Sequence, residues 1–375
     1  MQKPSTLPLS QAVPVEHLAA GFYSVTNSYK FYWLLAILAQ VRERRGPVLA
    51  IDALTAQMVA AAWYPSSYFR LSFGKQDQLG QLALTLQAAL NLPAHSPKAE
   101  IATACLRYAE ENAAFAKTLR SLAKYVPYRF LRPNFAAETR GLADWKVNEA
   151  IRQLAAQHFT DAASPCLYRF VEDGTERIEL HPQWVDYLER NLAIVDGFCR
   201  WHLTNYLQRN NPNTPNIASK LAEPEERNLR RARLFWQAAQ ATLGPLRCIY
   251  SGETLVDSTS LDHFLPWRFV AHDLLWNITP TSRPVNSAKN DQLPDFARYF
   301  EPFAALQFDA VQAVASQGKA ALLEDHILLL KTASLAAVQA LPYAAFRRTL
   351  EETLAPQMQI ARSMGFVDGW RYAPP

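Results

Sequence analysis

Residues 261–294, LDHFLPWRFVAHDLLWNITPTSRPVNSAKNDQLP, constrain this chain more than any other stretch. They hold an Asp262-His263 pair, then Asn277 fourteen positions after the histidine, then Asn286 nine further on. A carboxylate and an amide oxygen make a donor set for a hard divalent cation, which prefers oxygen ligands. An imidazole beside them can take a proton from a water that attacks phosphorus. That order suits hydrolysis of a phosphodiester on one metal, with Asn277 tying the intervening loop so that the histidine stays aimed.

The stretch resembles the HNH, or ββα-metal, endonucleases, among them the HNH domain of the RNA-guided CRISPR effector nuclease. In that family a strand carries the Asp-His pair, a loop the middle Asn, and a helix the last Asn or His. Here Asp262-His263 opens the motif, and Asn277 stands in Leu-Trp-Asn-Ile-Thr-Pro, the place of the family's Asn-Leu loop. Asn286-Ser-Ala-Lys-Asn-Asp matches the family's Asn-x-x-Lys-x-Asp helix start. Upstream, Cys248-Ile-Tyr-Ser-Gly-Glu-Thr-Leu reads as the hairpin that opens the fold. The likeness covers residues 246–298, under a fifth of the chain. It implies Asp262 and Asn286 as ligands of Mg²⁺ or Mn²⁺, His263 as general base, Asn277 as the loop's anchor, and DNA as substrate, cut to 5′-phosphate and 3′-hydroxyl ends. Lys289 follows Asn286 by one helical turn, where the family often keeps a lysine; it is either a phosphate contact or a surface lysine.

Many HNH proteins pin the motif with a zinc held by two cysteine pairs. The corresponding positions here are Cys248 with Ser251 and Ser282 with Val285, so one thiolate stands where four would be needed. The expectation is no structural zinc, with Tyr250, Phe264, Trp267, Phe269 and Trp276 packing the hairpin instead. Asn rather than His as the final ligand favours Mg²⁺ or Mn²⁺ over zinc.

The motif is small, and most of the 375 residues must do something else. Hydrophobic residues make up 49% and charged residues 19%, the balance of a folded chain rather than a disordered tail. A net charge of +4 is compatible with a nucleic-acid partner without arguing for one. Cys105, Cys166, Cys199 and Cys248 lack CxxC spacing, so neither a disulfide framework nor a zinc ribbon is indicated. The opening MQKPSTLPLSQAVPVEH has no basic-then-apolar signal pattern, and the longest apolar run, 31–39, is far short of the roughly 20 residues a bilayer needs. A soluble cytoplasmic protein with no membrane partner is expected.

The fold class expected is α+β, mostly α: a helical N-terminal region, then a small ββα-metal module, then C-terminal helices. Apolar residues Phe31, Leu34, Leu35, Leu38 and Val41 recur at helical spacing. Further helical windows fall near 52–62, 76–92, 99–123, 143–158 and 182–208. One hairpin interrupts them, 167–171 and 177–180 about an Asp173-Gly174 turn. The run RNNPNTPN at 209–216 forbids regular structure and marks a boundary. A helix restarts at Pro224 with Glu225-Glu226 in its first turn. The domains expected are therefore 1–208, helical and concerned with substrate selection; 209–223, a linker; 224–300, the nuclease module with its leading helix; and 301–375, C-terminal helices near 296–317, 320–341 and 344–364.

Arg227, Arg230 and Arg231 share a face by helical spacing and can clamp phosphates, or form a solvated face paired with Glu223, Glu225 and Glu226. His272-Asp273 looks like a second Asp/His constellation but more readily packs or caps the loop before Asn277. Residues 63–76 and 125–133 interleave aromatic and basic side chains in what reads as non-helical chain. Such mixtures stack on bases, or are ordinary core aromatics with a few exposed arginines. The function indicated is a metal-dependent endonuclease acting on DNA, with restriction or phage defence as a role by analogy. The alternatives are a ribonuclease using the same metal site and a non-catalytic nucleic-acid-binding or assembly protein.

Overall fold

Helical periodicity prevails in the structure, a computed structural model that describes residues 7–23, 25–161, 164–172, 176–224, 227–255 and 259–374. The Asp173-Gly174 turn and Glu225-Glu226 lie outside the described residues. The fold is mostly helical α+β. Two compact units divide the chain, Met1–Pro212 with Ile217–Glu223 and Asn213–Asn216 with Pro224–Pro375.

The first unit contains α1 (Val15–Ala20), α2 (Tyr29–Arg42), β1 (Val48–Ala50), α3 (Ile51–Trp63), α4 (Leu79–Leu90), α5 (Lys98–Glu111), α6 (Ala113–Leu131), α7 (Asp144–Phe159), β2 (Tyr168–Glu172), β3 (Glu176–Leu180), α8 (Pro182–Arg190) and α9 (Leu192–Asn210). The hairpin read from sequence is β2–β3, with Phe170 opposite Ile178. A third strand, β1, joins the other edge of β3 and sets Leu49 opposite Ile178. Its three residues are too few to signal a strand on their own.

Three stretches of the first unit differ from the expected helices. The single window 99–123 is two helices, because Asn112 adopts φ −125° and its side chain accepts the Phe115 N–H at 2.9 Å, capping α6. Likewise 182–208 breaks at Asn191, where φ is −114°. Residues 125–131 are helical: α6 continues to Leu131 with Pro127 in its interior. Tyr128 and Phe130 there are buried, as are Trp63, Tyr64 and Phe69, so these aromatics are core.

The second unit contains α10 (Arg230–Leu243), β4 (Thr259–His263), α11 (Trp267–Val270), β5 (Ile278–Ser282), α12 (Arg283–Lys289), α13 (Phe296–Ser316), α14 (Glu324–Leu330), α15 (Leu335–Gln339) and α16 (Tyr343–Ser363). The leading helix starts at Arg230 rather than Pro224, because the Asn228 carboxamide accepts the Arg230 N–H at 3.1 Å and turns the chain just before it. The window 320–341 is α14 and α15, separated where Lys331 takes φ +52°. One continuous core joins the β4–β5 hairpin to the C-terminal helices: Phe264 stacks on Phe303 of α13 at 4.3 Å, and Phe269 meets Phe366 edge-on. Each fully buried phenyl ring contributes roughly 1.5–3 kcal/mol. Ring packing at this scale can hold a small hairpin.

Candidate active site

The module opens with a tight turn in which Cys248 N–H bonds Glu253 O at 2.9 Å and Gly252, at φ +75°, bonds back to Cys248 O. Strands β4 and β5 then pair antiparallel, setting Asp262 opposite Thr279 and His263 opposite Ile278. Asp262 and His263 are the last two residues of β4, and both are only 4% exposed. Alternation along a strand sends adjacent side chains to opposite faces. Accordingly the two acquire different partners.

The Asp262 carboxylate accepts from the Tyr250 hydroxyl at 2.7 Å and from the Lys289 ammonium at 3.1 Å, with the other oxygen 3.0 Å from the same ammonium. Burial first, and the Asp262 charge second, push the Tyr250 phenol well above its usual range, so it stays protonated and donates. His263 Nε2 lies 2.8 Å from Asp273 Oδ1. Its other nitrogen, Nδ1, makes no hydrogen bond among the described residues.

Asn277 is fully buried and ties the loop from both ends of its amide: Oδ1 accepts from Leu265 N–H at 2.8 Å and Nδ2 donates to Leu265 O at 3.0 Å. Its own carbonyl accepts from Phe264 N–H at 2.8 Å. The C-terminal helices brace the same loop. Gln307 of α13 donates to Leu275 O and Ile278 O and lies 3.0 Å from His326 Nε2, while Asp325 accepts from Leu275 N–H at 2.9 Å. Asn286, half-buried on α12, donates through Nδ2 to Ser260 Oγ at 2.8 Å and Leu261 O at 3.3 Å. With both N–H groups directed at β4, Oδ1 is the one polar atom of that side chain left for a ligand.

Lys289, read from the sequence as a phosphate contact or a surface lysine, is not at the surface. It is fully buried, and its ammonium spans the Asp262 carboxylate and the His263 carbonyl, the latter at 2.6 Å. The buried carboxylate requires a counter-charge, and the i+3 position from Asn286 supplies it from the same helix face. The arginine cluster also disperses. Arg227 precedes α10 and lies over the Trp267 ring at 5.7 Å, Arg231 pairs with Asp325 at 2.8 Å, and Arg230 is exposed. Helical spacing does not apply to Arg227 because the helix has not begun there. His272 accepts from Leu274 N–H at 3.4 Å and its ring lies 5.4 Å from Trp276. Its neighbour Asp273, read as a loop cap, is the partner of His263.

Tyr250 and Asp273 are the two site residues that the sequence alone did not assign. Tyr250 lies twelve residues before Asp262 and Asp273 ten after His263. No helical or strand period links either pair.

Residues 248–295 match the family model of the HNH endonucleases. This segment is an HNH endonuclease domain. No curated protein and no solved structure matches the chain. The HNH hairpin and helix are β4, β5 and α12, and the family's general dependence on a metal accords with a site rich in oxygen donors. The HNH domain implies nuclease chemistry on a nucleic acid. Cys248, the one thiol in the module, lies 3.1 Å from Thr281 Oγ1, and Val285 is buried in the core. Among the described residues no helix is long and apolar enough to cross a membrane.

Proposed function

We propose that this protein is a metal-dependent DNA endonuclease in which His263, oriented by Asp273, is the general base. The His263–Asp273 pair carries the reading. A carboxylate on Nε2–H leaves the lone pair on Nδ1, the nitrogen then available to take a proton from water, and stabilises the imidazolium once that proton has moved. A merely structural histidine on an apolar hairpin has no need of that partner.

The donor set suits a hard divalent cation. An ionised carboxylate has about four lone-pair sites, of which Tyr250 and Lys289 use only part, and Asn286 has a committed amide nitrogen and an uncommitted oxygen. Asp262 and Asn286 would hold Mg²⁺ or Mn²⁺. Bound there, the cation supplies charge stabilisation at the scissile phosphate and the leaving 3′ oxygen. Tyr250 and Lys289 keep the Asp262 carboxylate in one orientation, and Asn277 fixes the chain exit after His263 so that the imidazole does not swing. Lys289 acts here as a positioning residue. With one thiol in the module, the hairpin is held by its aromatic packing and by α13 rather than by zinc.

The test is incubation of the purified chain with plasmid DNA and with structured RNA, with and without Mg²⁺. Metal-dependent nicking of DNA that disappears in His263→Ala is the expected result. Cleavage of RNA alone would replace DNA as the substrate, and unchanged nicking in His263→Ala would overturn the assignment of the base.

A further inference from the structure

The first unit contains a surface that the nuclease module does not account for. Helix α6 has four cations, Lys117, Arg120, Lys124 and Arg129, and no Asp or Glu over its 19 residues. Arg129 is taken by Asp144 at 2.8 Å. The other three are exposed, stand three and four residues apart, and form no ion pair among the described residues. They make one basic stripe along a single helix face.

Two exposed aromatic rings lie on α6 and on the helix fastened to it. Trp145, in the first turn of α7, is 78% exposed, and Tyr125 of α6 is 42% exposed. Each has a lysine over it, Lys146 at 5.0 Å from the Trp145 ring and Lys124 at 5.5 Å from the Tyr125 ring. Asn148 bonds Lys124 O at 2.9 Å and Arg129 bonds Asp144 O at 3.0 Å, so the start of α7 is fastened against α6. A groove of about 650 Å³ adjoins Arg120 and Lys124. Arg152 lines it too, as do the carboxylates of Asp52, Glu149 and Glu176 and the Asn148 amide, so the groove itself is balanced in charge and the unopposed positive charge lies along α6. Burying an indole is favourable, yet the fold leaves Trp145 in solvent.

We propose that the face built by α6 and the first turn of α7 binds a single nucleic-acid strand. Its phosphates run along Lys117, Arg120 and Lys124, and its unpaired bases stack on Trp145 and Tyr125. A polyanion complements a stripe with no acids of its own. A duplex cannot use the rings, since its base faces are already stacked, whereas any unpaired base presents a free face. This inference goes beyond the cleavage reading, and binding is measured without cleavage, so either can fail alone.

The experiment uses the full chain in excess chelator, fluorescence anisotropy with labelled oligodeoxythymidylate, and a gel to show that the strand stays intact. Oligouridylate and a duplex of equal length are the comparison arms. Reversing Lys117, Arg120 and Lys124 to Glu is expected to abolish most binding and to flatten the slope of log affinity against log salt by about 2, at roughly 0.7 per phosphate contact. Trp145→Ala is expected to weaken binding about 5- to 100-fold while leaving the salt slope unchanged, and Trp145→Phe to restore most of it. All these positions are exposed, so the thermal midpoint should hold. Undiminished binding by the triple variant, no loss in Trp145→Ala, or duplex bound as tightly as single strand would each overturn the proposal.

Discussion

His263 Nε2 stands 2.8 Å from Asp273 Oδ1, across a loop that neither residue's sequence neighbours explain. If the carboxylate orients the imidazole, Asp273→Ala should lower kcat about 10- to 100-fold, the usual penalty for removing such a supporting partner, with KM unchanged. Steady-state kinetics on plasmid nicking would show the split. The imidazole tautomer, read from nitrogen chemical shifts, should change in the variant. A KM effect alone would remove Asp273 from the site.

The two histidines of the module separate cleanly. His263→Ala should cost about 10²–10⁴ in rate, the usual worth of general-base assistance, with Mn²⁺ binding retained. His272→Ala should cost far less, because that ring is spent on Leu274 N–H and the Trp276 face. An inactive but folded His272→Ala beside an active His263→Ala would reverse the assignment.

Lys289→Ala should destabilise the second unit by about 3–5 kcal/mol, because it leaves the Asp262 carboxylate buried without its ammonium. Denaturant unfolding at neutral pH would measure this. A variant of unchanged stability and raised KM would mean that the lysine reaches phosphate after all.

Nuclease activity should require Mg²⁺ or Mn²⁺ and vanish in chelator. Mn²⁺ titration followed by electron paramagnetic resonance should show weakened binding in Asp262→Ala and in Asn286→Ala, independently of any cleavage assay. Elemental analysis should find no stoichiometric zinc. One tightly held zinc per chain would contradict the reading of positions 251, 282 and 285.

Acid should loosen the second unit before it protonates most carboxylates. His326 is fully buried, and burial above all brings its imidazole down to about 4 from the ordinary 6.5. Because the folded value is depressed, the unfolded chain binds the proton first. Stability is therefore complete above about 6.5 and is lost as pH falls toward 4, by roughly 3 kcal/mol. Chemical denaturation at pH 7 and pH 4.5 in wild type and His326→Gln would test this, with a smaller loss expected in the variant.

The sequence by itself carried the motif and most of the helices. Asp262, His263, Asn277 and Asn286 all fall on one short strand–loop–strand–helix segment, where spacing translates directly into position. Helical windows such as 52–62 and 143–158 rest on the same local rule. The side chains that set the site's chemistry depend on contacts no period encodes: Tyr250 and Lys289 on Asp262, Asp273 on His263, and Gln307, Asp325 and His326 bracing the loop before β5. Lys289 shows the difference most plainly. Its place one turn after Asn286 is local and was legible, but its burial is decided by how α12 packs on β4. Once it was buried beside a carboxylate, desolvation fixed the pairing. The same holds for Trp145, whose exposure follows from how α7 lies on α6 and not from its neighbours in the chain.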